Sequence, residues 1–233
     1  MFQNSGGVID RVELPGMKGS PSPAPQPIVR IVDDDASFLK GLARMLRAAG
    51  FVVETFASAE EFLARPKAEV PGCVLVDLQM PGLSGLDLQA ALAQAGLPLP
   101  VVFLSGHGNV PTTVQAMRRG AEDFLTKQAS KRELLEAVKR ALVRDARERA
   151  ERARLQALRQ PFALLTARER EVLRHVVQGK LNKQIAADLG IHERTVKLHR
   201  THITTKLKVH SVAELTRLVQ AAGVFQPTMQ SNT

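Results

Sequence analysis

Residues 73–85 read CVLVDLQMPGLSG, and this stretch decides the fold of the first half of the chain. Four apolar residues (73–76) end abruptly at Asp77, and Met80-Pro81-Gly82 then turns the chain. A short apolar run of this kind is typical of a strand that is buried on both faces of a parallel sheet. Ligands of open α/β sheets bind at the carboxyl ends of such strands. Asp77 is therefore a candidate nucleophile or metal ligand, although an Asp in this position can equally be a simple turn-capping residue.

Strand and helix patterns alternate on both sides of this stretch. Apolar runs predict strands at 28–32, 51–56, 73–76, 101–104 and 123–126. Helical spacing between them predicts four helices, most of which are followed by a glycine that can end a helix. Alternating units of this length require a parallel sheet with right-handed crossovers and helices on both faces.

Chemically active side chains stand at the ends of four of these strands, namely Asp33 and Asp34, Asp77, Ser105 and Lys127. Three carboxylates at one sheet edge repel each other unless a divalent cation and a lysine compensate them, and Mg²⁺ prefers such oxygen ligands. A carboxylate can also attack phosphorus and form an aspartyl phosphate. Each residue alone is more often a solvated turn residue, but together they predict a phosphoacceptor site that depends on Mg²⁺.

Residues 28–128 resemble the receiver domain of two-component response regulators. The matching motifs are IVDDD (31–35), VLVDLQMPGLSG (74–85), VVFLSGHG (101–108) and AMRRGAEDFLTK (116–127). The resemblance implies a flavodoxin-like sheet with strand order 2-1-3-4-5. It also implies that a phosphohistidine on a sensor histidine kinase is the phosphoryl donor.

The resemblance assigns roles to individual residues of this site. They are Asp77 as phosphoacceptor; Asp33, Asp34, Asp77 and the main-chain carbonyl of Gln79 as Mg²⁺ ligands; Ser105 and Phe124 as the switch residues; and Lys127 as the phosphate-pairing lysine. One feature departs from the family pattern. The family usually has Lys-Pro, often with a cis bond, where this chain has Lys127-Gln128. A cis bond before a non-proline residue costs about 3 kcal/mol, so we expect a trans bond here.

Residues 130–161 predict a long helical linker. Its first turns are expected to pack on the receiver through Leu134, Leu135, Val138, Ala141 and Leu142. Beyond residue 143, alanines alternate with Arg and Glu, which favours a solvated, ion-paired connector over a coiled coil. Gln160-Pro161-Phe162 is expected to end this helix.

Four further helices are predicted after the linker. Capping boxes at Thr166-x-x-Glu169 and Ser211-x-x-Glu214 open the first and the last. A short helix starts at Asn182 and stops at Gly190. A tight turn then leads into a helix at 193–207, which predicts a helix-turn-helix with this last helix in the major groove of DNA.

Helical phase sorts the residues of the 193–207 helix. Val196, Ile203 and Leu207 share one side and are expected in the core. Lys197 could reach guanine acceptors, and Leu198 could contact a thymine methyl group. The candidate DNA-binding residues are Arg194, Thr195, Lys197, Leu198, His199, Arg200, Thr201, Lys206 and Lys208. The alternative is a basic helix face that is merely solvated.

Two motifs in this region, LTARERE (165–171) and NKQIAADLGIHERTVKLHRTHITTKL (182–207), resemble the LuxR-type domain of the NarL/FixJ regulators. The resemblance implies an all-α, four-helix domain that binds DNA as a dimer, often through its last helix.

The net charge of +9 is unevenly distributed. Residues 28–128 carry 9 basic and 11 acidic side chains, whereas 129–161 carry 10 and 5, and 162–233 carry 11 and 5. This asymmetry favours a near-neutral module joined to one that binds a polyanion. The single cysteine, Cys73, fits a reducing cytoplasm, and no apolar run is long enough to span a membrane.

These observations predict a cytoplasmic, DNA-binding response regulator. The expected segments are a disordered tail (1–27), a receiver (28–129), a helical linker (130–161), a LuxR-type domain (162–226) and a flexible end (227–233). The expected partners are a sensor histidine kinase, an operator, a second copy of the chain and RNA polymerase.

We expect no enzyme activity beyond the receiver's own phosphotransfer and dephosphorylation. One alternative is a regulator whose degenerate receiver works without phosphorylation. The other is a haloacid-dehalogenase-like phosphatase that uses Asp33-Asp34-Asp35 with Lys127. The lack of a cap segment and the basic second half of the chain count against the phosphatase.

Overall fold

The computed structural model of the chain describes residues 25–65, 70–97, 99–106 and 110–225. The predictions for the N-terminal tail, apart from residues 25–27, and for the C-terminal end lie outside the described residues. The chain divides into two compact units between Val138 and Lys139.

The first unit is built on five parallel strands in the order β2-β1-β3-β4-β5, as the sequence predicts. The strands are β1 (Ile28–Val32), β2 (Val52–Phe56), β3 (Gly72–Asp77), β4 (Val101–Ser105) and β5 (Asp123–Thr126). The central strand β3 is buried along its whole length. Val76 of β3 is level with Val32 of β1 and Phe103 of β4. This register brings the carboxyl ends of the three strands to the same edge.

The sheet is enclosed by α1 (Ala36–Ala48), α2 (Ala59–Ala64), α3 (Gly85–Gln94) and α4 (Val110–Arg118). Val74 and Val76 of β3 belong to one core cluster with Phe62 of α2, Leu88 of α3 and Ala116 of α4. Cys73 and Leu75 are equally buried and face the other way, because side chains alternate along a strand. Both faces of the sheet are therefore covered.

Helix α5 (Lys131–Ala163) has 33 residues and continues through Pro161. The prediction that Gln160-Pro161-Phe162 ends the helix is therefore wrong in position. Proline lacks a main-chain N–H, so it cannot donate the hydrogen bond that a helix residue normally makes. Pro161 lies in the last turn of α5, where its carbonyl accepts a hydrogen bond from the main-chain N–H of Leu164 at 3.2 Å. Phe162 is buried in the core of the second unit, and this burial favours keeping the turn intact.

The first turns of α5 bury Leu134, Ala137 and Val138. Ion pairs four residues apart, Arg144–Glu148 and Asp145–Arg149, lie along its middle, as the charge pattern indicates. Asp145 is nevertheless buried, so the expectation of a fully solvated connector is wrong at this residue.

The second unit contains α6 (Ala167–Val177), α7 (Asn182–Leu189), α8 (Glu193–Leu207) and α9 (Val212–Ala222). The bounds of α8 are those predicted. Gly190 ends α7 with φ 62°, a left-handed conformation that glycine adopts at little cost. Within the part of the chain that the structure describes, no helix is both long and apolar enough to cross a membrane.

Candidate functional site

An acidic pocket lies at the carboxyl edge of the sheet. Asp33 and Asp34 follow β1, and Asp77 is the last residue of β3. Each of these three residues offers a carboxylate oxygen within 4.8 Å of the others. Asp33 and Asp77 are buried, whereas Asp34 is exposed, so solvent and a substrate can approach beside Asp34.

Lys127 compensates the two buried carboxylates. Its Nζ lies 2.8 Å from Asp33 Oδ2 and 2.9 Å from Asp77 Oδ2. Burial alone would lower the pKa of Lys127, but its hydrogen bonds to Asp33 and Asp77 outweigh burial and raise it. Burial raises the pKa of Asp33, and the hydrogen bond from Lys127 opposes that shift. Lys127 is therefore positively charged in the pocket.

Lys127 is held in place without a proline after it. The described residues include no cis peptide bond, so the Lys127-Gln128 bond is trans, as expected. The main-chain N–H of Lys127 donates to the Ser105 carbonyl at 2.8 Å. Its Nζ also lies 4.7 Å from the centroid of the Phe38 ring, within the range of a cation–π interaction. Residue spacing does not predict this role for Phe38, which lies in the first turn of α1.

The predicted switch residues lie on β4 and β5. Ser105 is the last residue of β4 and is buried. Phe124 on β5 is half-buried and stacks on Phe103, with the ring centroids 6.0 Å apart. The main-chain N–H of Gln79 lies 3.3 Å from Asp77 Oδ1, which places the main chain of Gln79 beside the pocket.

Two residues that support the pocket are not evident from the sequence. A Cβ at Gly85 would overlap the main-chain oxygen of Asp77, so glycine lets α3 start directly against β3. Glu60 of α2 accepts a hydrogen bond at 2.8 Å from the main-chain N–H of Leu83, and this bond lowers the pKa of Glu60. Gly85 and the Leu83–Glu60 hydrogen bond both constrain the loop after Asp77, and residue spacing predicts neither of them.

Helix α8 presents the candidate DNA-binding residues. Val196, Ile203 and Leu207 are buried, as helical phase predicts. The exposed residues of the predicted DNA-binding set are Arg194, Lys197, Leu198, Thr201 and Lys208, while Thr195, His199, Arg200 and Lys206 are half-buried.

Some of the half-buried residues have partners within the second unit. Lys206 Nζ binds Glu169 Oε2 at 2.7 Å and the Leu164 carbonyl at 3.2 Å. Arg200 Nη1 donates to Asn182 Oδ1 at 2.9 Å. Burial would raise the pKa of Glu169, but the hydrogen bonds from Lys206 and Thr166 outweigh it and lower that pKa. We therefore leave Lys206 out of the proposed DNA contacts and treat it as a structural residue.

We expect Lys206→Met to lower the free energy of unfolding by about 2 kcal/mol, because it leaves Glu169 buried without its charged partner. The measurement is urea denaturation of the intact chain, followed through the transition of the second unit. Lys197→Met is the matched control, because the Lys197 side chain is 66% exposed and its contact with Glu193 is long at 3.8 Å. Equal stability of the two variants would contradict the structural role of Lys206.

Comparison with known domains assigns both units. A model of the response regulator receiver domain matches residues 29–139, and a model of the luxR family of bacterial regulatory proteins matches residues 163–219. A parallel-sheet receiver with an acidic pocket, joined to a LuxR-type helix-turn-helix, defines the class of DNA-binding response regulators. The chain belongs to this family of transcriptional response regulators.

Relatives cover nearly the whole chain. Nodulation protein W of Bradyrhizobium diazoefficiens is 39% identical over 92% of this chain and 94% of that protein. The transcriptional regulatory protein FixJ of Azorhizobium caulinodans is 42% identical over 84% of this chain and 93% of that protein. The response regulator protein TodT of Pseudomonas putida strain F1 is 40% identical over 83% and 85% of the two chains.

Solved structures agree with this assignment. The response regulator StyR is 45% identical, with a TM-score of 0.71 over 84% of this chain and 98% of that chain. Full-length FixJ from B. japonicum is 34% identical, with a TM-score of 0.52 over 87% of this chain and 100% of that chain. The predicted fold, family and regulatory function are confirmed.

Proposed function

We propose that a sensor histidine kinase phosphorylates Asp77 and that this modification controls operator binding by the LuxR-type domain. The observation that carries the proposal is the convergence of three carboxylates and Lys127 at one sheet edge, in a chain that also carries a DNA-binding domain. The Lys127-Gln128 junction does not favour a degenerate receiver, because Lys127 reaches both buried carboxylates.

The residues of the pocket have complementary parts in the transfer. An Asp77 carboxylate oxygen forms a bond to phosphorus, while the P–N bond to the kinase histidine breaks and its electron pair stays on the imidazole. Lys127, now bonded to Asp33 and Asp77, donates to an oxygen of the phosphoryl group. The Ser105 hydroxyl is the other donor we assign to that group.

The acidic pocket fits Mg²⁺. Its donors are carboxylate oxygens from Asp33, Asp34 and Asp77, which are hard ligands within 4.8 Å of one another. We assign the main-chain carbonyl of Gln79 as a further ligand. When bound, the ion offsets negative charge on the carboxylates and on the transferring phosphoryl group. Asp34 is exposed, so an ion held by these residues would be accessible to water and to an incoming phosphoryl group.

We assign the signal that leaves the pocket to Ser105 and Phe124. When the Ser105 hydroxyl moves toward the phosphoryl group, it frees space at the end of β4. The Phe124 ring, which stacks on Phe103, then moves into that space. The resulting change on the β5 side of the receiver favours a homodimer that binds an operator and recruits RNA polymerase. We assign the receiver to residues 28–129, the helical linker to 130–161 and the LuxR-type domain to 162–226. Most of the linker belongs to α5.

Lys197→Ala is expected to weaken operator binding by about 1–3 kcal/mol, because we assign Lys197 to a guanine in the major groove. The measurement is fluorescence anisotropy on an operator selected from random DNA, with unrelated DNA in parallel. Lys131→Ala, on the other compact unit, controls for the lost charge. If Lys197→Ala weakened binding to both DNAs equally, Lys197 would be a phosphate contact and not a base reader.

A further inference from the structure

A second cluster of side chains that could hold a metal ion lies in the LuxR-type unit. Glu169 belongs to the first turn of α6, and His199 and His202 lie on α8. Each offers one ligand atom, and these atoms lie within 4.8 Å of one another. Residues three apart on a helix are neighbours on its surface, so His199 and His202 lie on the same side of α8, close to the Glu169 carboxylate.

The three residues differ in how far their polar atoms are already hydrogen-bonded. Glu169 is 3% exposed, and its Oε2 accepts from Lys206 and from the main-chain N–H of Thr166. Its Oε1 lies 3.7 Å from His202 Nδ1. His199 Nδ1 is buried and has no hydrogen-bond partner among the described residues. A buried ring nitrogen without a partner is costly, and a metal bond would satisfy it.

We propose that Glu169, His199 and His202 form a binding site for a Zn²⁺-class divalent ion. Two imidazoles and one carboxylate, with a water in the fourth position, are a common ligand set for zinc. Ligands at about 2.0–2.1 Å from zinc stand about 3.3 Å apart, so no two of the three groups need to close by more than about 1.5 Å. The exposed side chain of His202 can make that movement by rotating about its own bonds.

Lys206 limits the affinity of the site. Its Nζ also lies 3.0 Å from Glu169 Oε1, so its charge opposes a metal ion on the same carboxylate. It can keep its bonds to Glu169 Oε2 and the Leu164 carbonyl while Oε1 turns to the ion. We therefore expect micromolar affinity. The ion links α6 to α8, so it stabilises the helix that we assign to the major groove; only its consequence for DNA recognition rests on the proposed function.

The test is titration of the untagged, full-length chain with Co²⁺, whose visible absorption reports nitrogen and oxygen ligands. Excess Mg²⁺ is present to occupy the receiver carboxylates. His202→Gln is the test variant, and His210→Gln, an exposed histidine outside the cluster, is the matched control. We expect the parent and His210→Gln to bind Co²⁺ that Zn²⁺ displaces, and His202→Gln to bind at least tenfold more weakly. Zn²⁺ should also raise the melting temperature of the second unit in the parent and the control but not in His202→Gln.

Equal Co²⁺ binding by His202→Gln and His210→Gln, or a dissociation constant above ~0.1 mM for the parent, would overturn the site. Neither readout involves phosphorylation or DNA, so failure of the metal site and failure of the proposed regulatory function are distinguishable.

Discussion

Asp77→Asn is expected to abolish phosphoryl labelling of the chain by acetyl phosphate or by a kinase. An amide is a far weaker nucleophile than a carboxylate, and the substitution also removes one of the three acidic groups assigned to Mg²⁺. Intact-protein mass spectrometry with Mg²⁺ present measures the labelled fraction directly.

Asp35→Asn is the matched control for this experiment. Asp35 follows Asp33 and Asp34 in the sequence and caps α1. Its side chain accepts hydrogen bonds from the main-chain N–H groups of Ser37 and Phe38. Asparagine serves equally well in a cap, so this variant should fold and be labelled like the parent. Labelling that persisted in Asp77→Asn would move the phosphoacceptor to another carboxylate.

Lys127→Ala is expected to slow phosphoryl transfer by roughly 10- to 100-fold. Hydrogen bonds to charged groups contribute about 1.5–3 kcal/mol, and each 1.4 kcal/mol of barrier changes a rate tenfold. The substitution removes the ammonium group that we assign as a donor to the phosphoryl oxygens. The same group now offsets the negative charges of Asp33 and Asp77. Single-turnover labelling with saturating Mg²⁺ measures the rate.

Lys131→Ala is the control for the loss of one positive charge near the pocket. Lys131 is exposed at the start of α5 and has no assigned part in the transfer. A Lys127→Ala rate equal to that of Lys131→Ala would mean that Lys127 has no part in the transfer.

The sheet and the acidic pocket could be predicted because each rests on local sequence. Apolar runs define the strands, and parallel strands bring their carboxyl ends to one edge whatever the details of packing. Asp33, Asp77 and Lys127 were therefore predicted to meet, and the structure brings them together. The candidate DNA-binding helix α8 was equally predictable, because the turn after Gly190 indicates where it starts and helical phase indicates its buried side.

The contacts that sequence reasoning missed all depend on tertiary packing. The contact of the Phe38 ring with Lys127 joins residues that are far apart in the sequence, and the need for glycine at position 85 arises only where α3 meets β3. The Glu169–Lys206 pair joins residues 37 positions apart on two helices. Lys206, which the sequence predicts as a DNA contact, therefore forms an ion pair within the second unit. Residue type predicts a helix end at Pro161, and the burial of Phe162, which favours one further turn, cannot be predicted from spacing.

Control of DNA binding by phosphorylation at Asp77 is tested most directly by measuring operator affinity of the full-length chain with and without acetyl phosphate, in the presence of Mg²⁺. Sedimentation of the same samples reports the dimer. We expect acetyl phosphate to increase both operator affinity and the dimer fraction in the parent chain, and to change neither in Asp77→Asn. An unchanged affinity in a chain that mass spectrometry shows to be phosphorylated would contradict the proposed control.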